Sequence, residues 1–222
     1  MCNRYTPPRA EELAQRLGRA IVNYPPGPIF PRSPGPFVRL DREREVEVVV
    51  GQWGLVPWFA KTAKLPYSTN NARAEELAVK ASYKQPWARG QRCLIPAESF
   101  DEPCWESGRN QWWRFRRADG HPWMLAGLWN RWVDKASGEI VESFTMLTLN
   151  ADAHPLMSRM HKPDPRLGPD QQDKRSVIPV ADGDAQAWMG GSVDQAERLL
   201  KLTPAESFDA GPADEEVAPR LF

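Results

Sequence analysis

The sequence predicts an α+β fold: a single domain with a largely antiparallel sheet or barrel core flanked by helices. Three observations carry that expectation. Runs rich in Val, Ile, Phe and Trp occupy the middle of the chain. Helical patterns fall towards its ends. Turn signals such as SGRN, ADGH and KASGE separate the central runs, as hairpins require. With 222 residues, 41% of them hydrophobic, the chain has the length and apolar content of one domain. Residues 1–202 are read as that domain. Residues 203–222 are acidic and rich in Pro and Ala, and are read as a loosely ordered tail.

Taken in order, PPRAEELAQRLG (Pro7–Gly18) reads as a helix, with proline near its start, glutamates in its first turn and Gly18 at its stop. The proline-rich stretch Asn23–Phe37 reads as an extended segment wrapped on the surface. Val46–Leu55 has the β-branched enrichment of a strand. Asn70–Tyr83 reads as an irregular start followed by a helix. Strands are expected at Arg92–Ala97, Gln111–Arg117, Pro122–Trp129 and Ile140–Leu149, and closing helices at Asp184–Gly190 and Val193–Leu202.

Composition excludes several function classes. Lys and Arg number 29, as do Asp and Glu, so no global basic field points to non-specific duplex binding. Cys2, Cys93 and Cys104 are odd in number and irregularly spaced, which is not a disulfide framework. No run approaches the ~20 apolar residues of a membrane span, and the N-terminal stretch has no apolar signal region. A cytoplasmic monomer in a reducing compartment is expected. Neither the cysteines nor His154 and His161 have metal-ligand spacing, so no metal and no cofactor are expected. Most of the ten tryptophans, Trp53 among them, read as core. Trp58 and Phe59 follow a strand in a proline turn, where they read either as core or as a platform for a stacked base.

Four polar residues stand out: Cys2 in MCNRY, Asn71 in TNNARAEEL, Glu102 in ESFDEP and His161 in RMHKP. Alone, Asn71 is an ordinary helix cap, Glu102 a loop carboxylate and His161 a surface residue. Yet Asn71, Glu102 and His161 each end an element, where sites tend to be built. Together, MC-x-R at the start, NARAE, the carboxylate of ESFDEP and a late MHKP entering DKRSVIPV resemble the SOS response-associated peptidase (SRAP) family, from Met1 to about Trp188.

That resemblance implies binding of abasic sites in single-stranded DNA and covalent attachment through the N-terminal cysteine once Met1 is removed. It implies Cys2 as nucleophile, with Asn71, Glu102 and His161 as its helpers. It implies phosphate contacts from Arg4 and Arg73 and nucleotide contacts from Trp58 and Phe59. An N-terminal cysteine offers an amine and a thiol on adjacent carbons, and an abasic aldehyde can close both into a thiazolidine. With ordinary values near ~8 for the amine and ~8.5 for the thiol, useful fractions of each are deprotonated near neutrality. Untrapped, the imine leads to β-elimination, a lyase activity. The chain departs from the family at Asn3, where glycine is common, and in a segment inserted after His161. That insertion leaves Lys162, Arg166, Lys174 and Arg175 all open as DNA contacts. Two other readings stay open: a thiol peptidase, in its simplest form autoproteolytic, and a non-covalent single-strand binder.

Overall fold

A computed structural model describes residues 1–213. Five strands close a barrel. They are β2 (Pro34–Leu40), β3 (Val46–Trp53), β5 (Arg92–Ala97), β8 (Trp123–Val133) and β9 (Ile140–Asn150). Around the ring β9 pairs with β3, β3 with β2, β2 with β5, β5 with β8, and β8 with β9 again. The β3–β9 pairing is parallel and the rest are antiparallel. Two short strands extend from β9: β4 (Asn71–Arg73), parallel, and β10 (Arg175–Val177), antiparallel. A second sheet runs in the order β1 (Tyr5–Thr6), β6 (Ser99–Cys104), β7 (Gln111–Arg117) and β11 (Phe208–Pro212). The expected α+β architecture with a mainly antiparallel barrel is therefore what the chain adopts.

Strand alternation sorts the core into two parts. On β5, Cys93 and Ile95 face one cluster with Phe37, Trp53, Phe100, Phe115 and Phe144, while Leu94 faces the other. On β9, Met146 faces the first and Leu147 the second. The helices α1 (Ala10–Leu17), α2 (Ala81–Ala88), α3 (Ala185–Gly190) and α4 (Val193–Leu199) lie around the barrel. Leu77, Trp87, Trp188, Met189 and Ala196 complete the second cluster. Buried Arg92 on β5 ties α3 down by donating to the carbonyls of Trp188 and Gly191. At Gly127, where β8 meets β9, an added Cβ would stand 2.7 Å from the Thr145 carbonyl oxygen, so only glycine lets the barrel close there.

Several elements differ from expectation, each for a physical reason. The segment Pro34–Leu40 is a barrel strand rather than a surface wrap. Its prolines are tolerated because β2 meets β5 only at Val38, leaving Pro34 and Pro36 paired on one side. Residues 99–104 form β6 rather than a loop. Pro103 fits because β1 reaches only Ser99 and Phe100. Asn71 begins a strand, not a helix: the Met146 amide donates to the Asn70 carbonyl and draws the segment onto β9. The helix comes later, as α2. The ADGH turn leads from one sheet to the other instead of closing a hairpin. The tail reading is corrected up to residue 213. Residues 208–212 add β11 to the second sheet, and Phe208 packs on Phe115 and Trp123. Residues 214–222 lie outside the described part. Among the described residues no helix is long and apolar enough to cross a membrane, and no group of three His, Cys, Asp or Glu is arranged to hold a metal ion.

Candidate active site at the N-terminus

The short strand β1 fixes the N-terminus. Tyr5 and Thr6 pair with Phe100 and Ser99 of β6, and Tyr5 also bridges to Ile29, so residues 1–4 run beside Glu102. Cys2 is fully buried, and its Sγ–H donates to the Arg4 carbonyl at 3.3 Å. Two amides grip the Cys2 carbonyl: Asn71 Nδ2 at 2.6 Å and Asn70 Nδ2 at 3.3 Å. Asn70 also donates to Asn3 Oδ1 at 3.0 Å. Sequence reasoning chose Asn71 and missed Asn70, although the doubled asparagine of TNNARAE was the available signal.

Glu102 projects from β6 and is 1% exposed, not a solvated loop carboxylate. Its Oε2 lies 2.8 Å from His161 Nε2 and 3.8 Å from the Met1 amine. The Met1 amine also hydrogen-bonds His161 Nε2. That one ring nitrogen can donate to Glu102 or accept from the amine, so the trio is a point of proton exchange. Burial raises the Glu102 pKa, but the terminal ammonium and then His161 outweigh it, leaving the group below its usual value.

His161 stands on a turn clamped from both sides. Its N–H donates to the Pro103 carbonyl at 2.6 Å, and its backbone is left-handed, with φ 62°. Buried Lys174 donates to the carbonyls of Met160 and His161, at 2.7 and 2.6 Å. The structure thus brings Cys2, Asn71, Glu102 and His161 together from four separate stretches of chain.

Burial first, and then the Glu102 carboxylate, push the Cys2 thiol well above its usual pKa. The expectation of a useful thiolate fraction near neutrality is corrected accordingly. Asn71 Oδ1 and Glu102 Oε1 are buried acceptors that make no hydrogen bond among the described residues.

Around this centre the other candidates divide. Trp58 and Phe59 are 61% and 41% exposed and meet edge to face, so they are surface aromatics and not core. Phe59, Asn71, Arg73, Lys80 and Met1 line one cavity of about 420 Å³. Arg73 is partly open to solvent and paired with Asp173. Arg4 departs from the expected phosphate clamp. It is 3% exposed and ion-paired with Asp101 at 3.1 Å, which also holds Arg114 at 3.0 Å. Its charge is spent fastening β6 beside Cys2. Lys174 and Arg175 are likewise buried, Lys174 on the His161 turn and Arg175 against Glu75 and Asp173. Of the four cations left open by the insertion, only Lys162 and Arg166 are exposed.

The chain is 28% identical to the abasic site processing protein HMCES of Gallus gallus, over 87% of this chain and 61% of that protein. It is 32% identical to the abasic site processing protein YobE of Bacillus subtilis, over 58% of this chain and 57% of that one. The chain thus spans about 60% of the length of these curated relatives. A crystal structure of a Bordetella bronchiseptica protein superposes with a TM-score of 0.85 at 32% identity, covering 96% of this chain and all of that one. The family model described as SOS response associated peptidase (SRAP) matches residues 1–219, and the chain belongs to that family.

Proposed function

We propose that this chain recognises abasic sites in single-stranded DNA and, once Met1 is removed, attaches to them covalently through Cys2. The observation that carries the reading is the gripped Cys2. Its thiol is buried against β6 and its carbonyl is fixed by Asn70 and Asn71. The Glu102–His161 pair stands at the Met1 amine, one residue before Cys2. The names of the relatives point the same way, since they describe abasic site processing.

The chemistry follows from these positions. The Cys2 amine adds to the C1′ aldehyde, and water leaves to give an iminium. The thiol then adds to the same carbon and releases its proton, closing a five-membered thiazolidine. Net, one aldehyde and one aminothiol become a thiazolidine and a water. His161 supplies the proton to the departing hydroxyl, and the Glu102 carboxylate accepts the thiol proton. The unused acceptors Glu102 Oε1 and Asn71 Oδ1 are placed to accept hydrogen bonds from the amine and a sugar hydroxyl, while the proton lost by the amine leaves with the carbonyl oxygen as water. A single chain supplies every one of these groups, so a monomer suffices. A general thiol peptidase is disfavoured, because such enzymes work with an exposed, low-pKa thiolate and Cys2 is neither.

The test is denaturing electrophoresis with a single-stranded oligonucleotide bearing one abasic site, the free Cys2 amine first verified by mass spectrometry. A heat-stable shifted band that requires both the lesion and Cys2 is expected. A band that survives Cys2→Ser, or no band at all, overturns the proposal.

A further inference from the structure

Asp173, in the segment inserted after His161, stands between two arginines and gives one oxygen to each. Its Oδ2 accepts from the Arg73 guanidinium, and its Oδ1 accepts from Arg175 Nε at 2.8 Å. The two arginines are not equivalent. Arg175 is buried on β10 and also holds Glu75 at 2.5 Å. Arg73, at the end of β4, is 40% exposed and lines the cavity that Asn71 shares. Its other carboxylate neighbour, Glu76, is 3.8 Å away. The backbone of Asp173 is held in place. Its amide and that of Lys174 donate to the two oxygens of Asp152, at 3.1 and 2.8 Å.

We propose that Asp173 is a built-in competitor for the site: it occupies Arg73 in the free protein and yields it to a phosphate of the bound strand. This rests on the single-strand reading and adds to it a control on affinity. The division of oxygens lets the exchange proceed without disturbing the surroundings. When Arg73 turns to a phosphate, Oδ1 keeps Arg175 and Asp152 keeps the backbone. The carboxylate therefore stays where it is, and Lys174 keeps its hold on the turn that carries His161. An ion pair open to water is weak, and a phosphate offers the guanidinium two parallel hydrogen bonds, so the exchange goes forward. Yet the carboxylate left behind repels the phosphate, and every strand binds against it. Only a strand that goes on to the covalent bond offsets that cost in full.

Asp173→Asn removes the charge at nearly constant shape, and asparagine tolerates the left-handed backbone of residue 173, with φ 54°. The experiment measures equilibrium binding of a labelled single strand with a central tetrahydrofuran lesion analogue, which has no aldehyde to crosslink. Wild type, Asp173→Asn, Arg73→Gln and the double variant are compared. Asp173→Asn should tighten binding about threefold, and in the Arg73→Gln background it should change nothing. Unchanged binding by the single variant overturns the competition, and weaker binding makes Asp173 a residue that orients Arg73 instead. Equal tightening in both backgrounds also overturns it, as a charge effect that bypasses Arg73. No binding by wild type or variant overturns both this inference and the single-strand reading. Crosslinking of wild type to an aldehyde lesion runs in parallel. Its failure counts against the reading of Cys2, whereas a crosslinking wild type with no gain from Asp173→Asn counts against the competition alone.

Discussion

At the scale of single residues, the site depends on keeping Cys2 buried and oriented. Cys2, Cys93 and Cys104 are all free and buried. Thiol titration of the Met1-bearing native chain at neutral pH should therefore find none of them, and titration after denaturation all three. Asn70→Ala removes an amide from the Cys2 carbonyl and leaves Asn3 Oδ1 without its donor. A loss of about 1–3 kcal/mol is expected, with slower crosslinking, read by thermal melts and single-turnover kinetics. For Glu102 the sign is set by its depressed pKa. Its contribution to stability is complete above the unfolded value near ~4.3 and is lost as pH falls through the lower folded value. Glu102→Gln should flatten the acid limb of the melting profile between about pH 5 and pH 3. An unchanged limb would mean that the carboxylate gains nothing from the amine and His161.

At the scale of elements, the turn that carries His161 is held by other parts of the chain. Lys174→Met strips two carbonyls of a buried donor, at a cost of about 1–3 kcal/mol. It should slow crosslinking without touching the imidazole itself. The left-handed backbone at His161 gives an independent check. His161→Gly and His161→Ala both remove the ring, but glycine accepts positive φ freely. The glycine variant should be the more stable by about 1–2 kcal/mol, and equal melting temperatures would argue against that backbone. The Asn71 and Glu102 expectations erred in the same direction. Both were read as belonging to loops or caps, and both lie on strands whose partners are distant in sequence. Local propensity does not report such partners.

At the scale of the whole molecule, the second sheet depends on chain beyond residue 202. Phe208→Ala should cost about 3 kcal/mol, because its ring packs against Phe100, Phe115 and Trp123. Denaturant unfolding measures this, and a loss near zero would restore the loose tail. With no net charge, the proposed DNA binding would rest on a few solvent-accessible cations, Arg73, Lys80, Lys162 and Arg166. The salt slope should be shallow, at about 0.7 per neutralised phosphate.

The sequence by itself determined the α+β class, the central strands and the closing helices, because period and turn chemistry are local properties. It also marked Cys2, Asn71, Glu102 and His161, because their surrounding motifs are short and contiguous. Tertiary structure alone decided the rest. It closed the barrel, drew Pro34–Leu40 and residues 208–212 into sheets, and withdrew Arg4, Lys174 and Arg175 from solvent. It also recruited Asn70 to the Cys2 carbonyl. The physical reason is common to all of these. Burial, ion pairing and strand pairing depend on which distant segment lies alongside, and a residue's own neighbours in sequence carry no record of it.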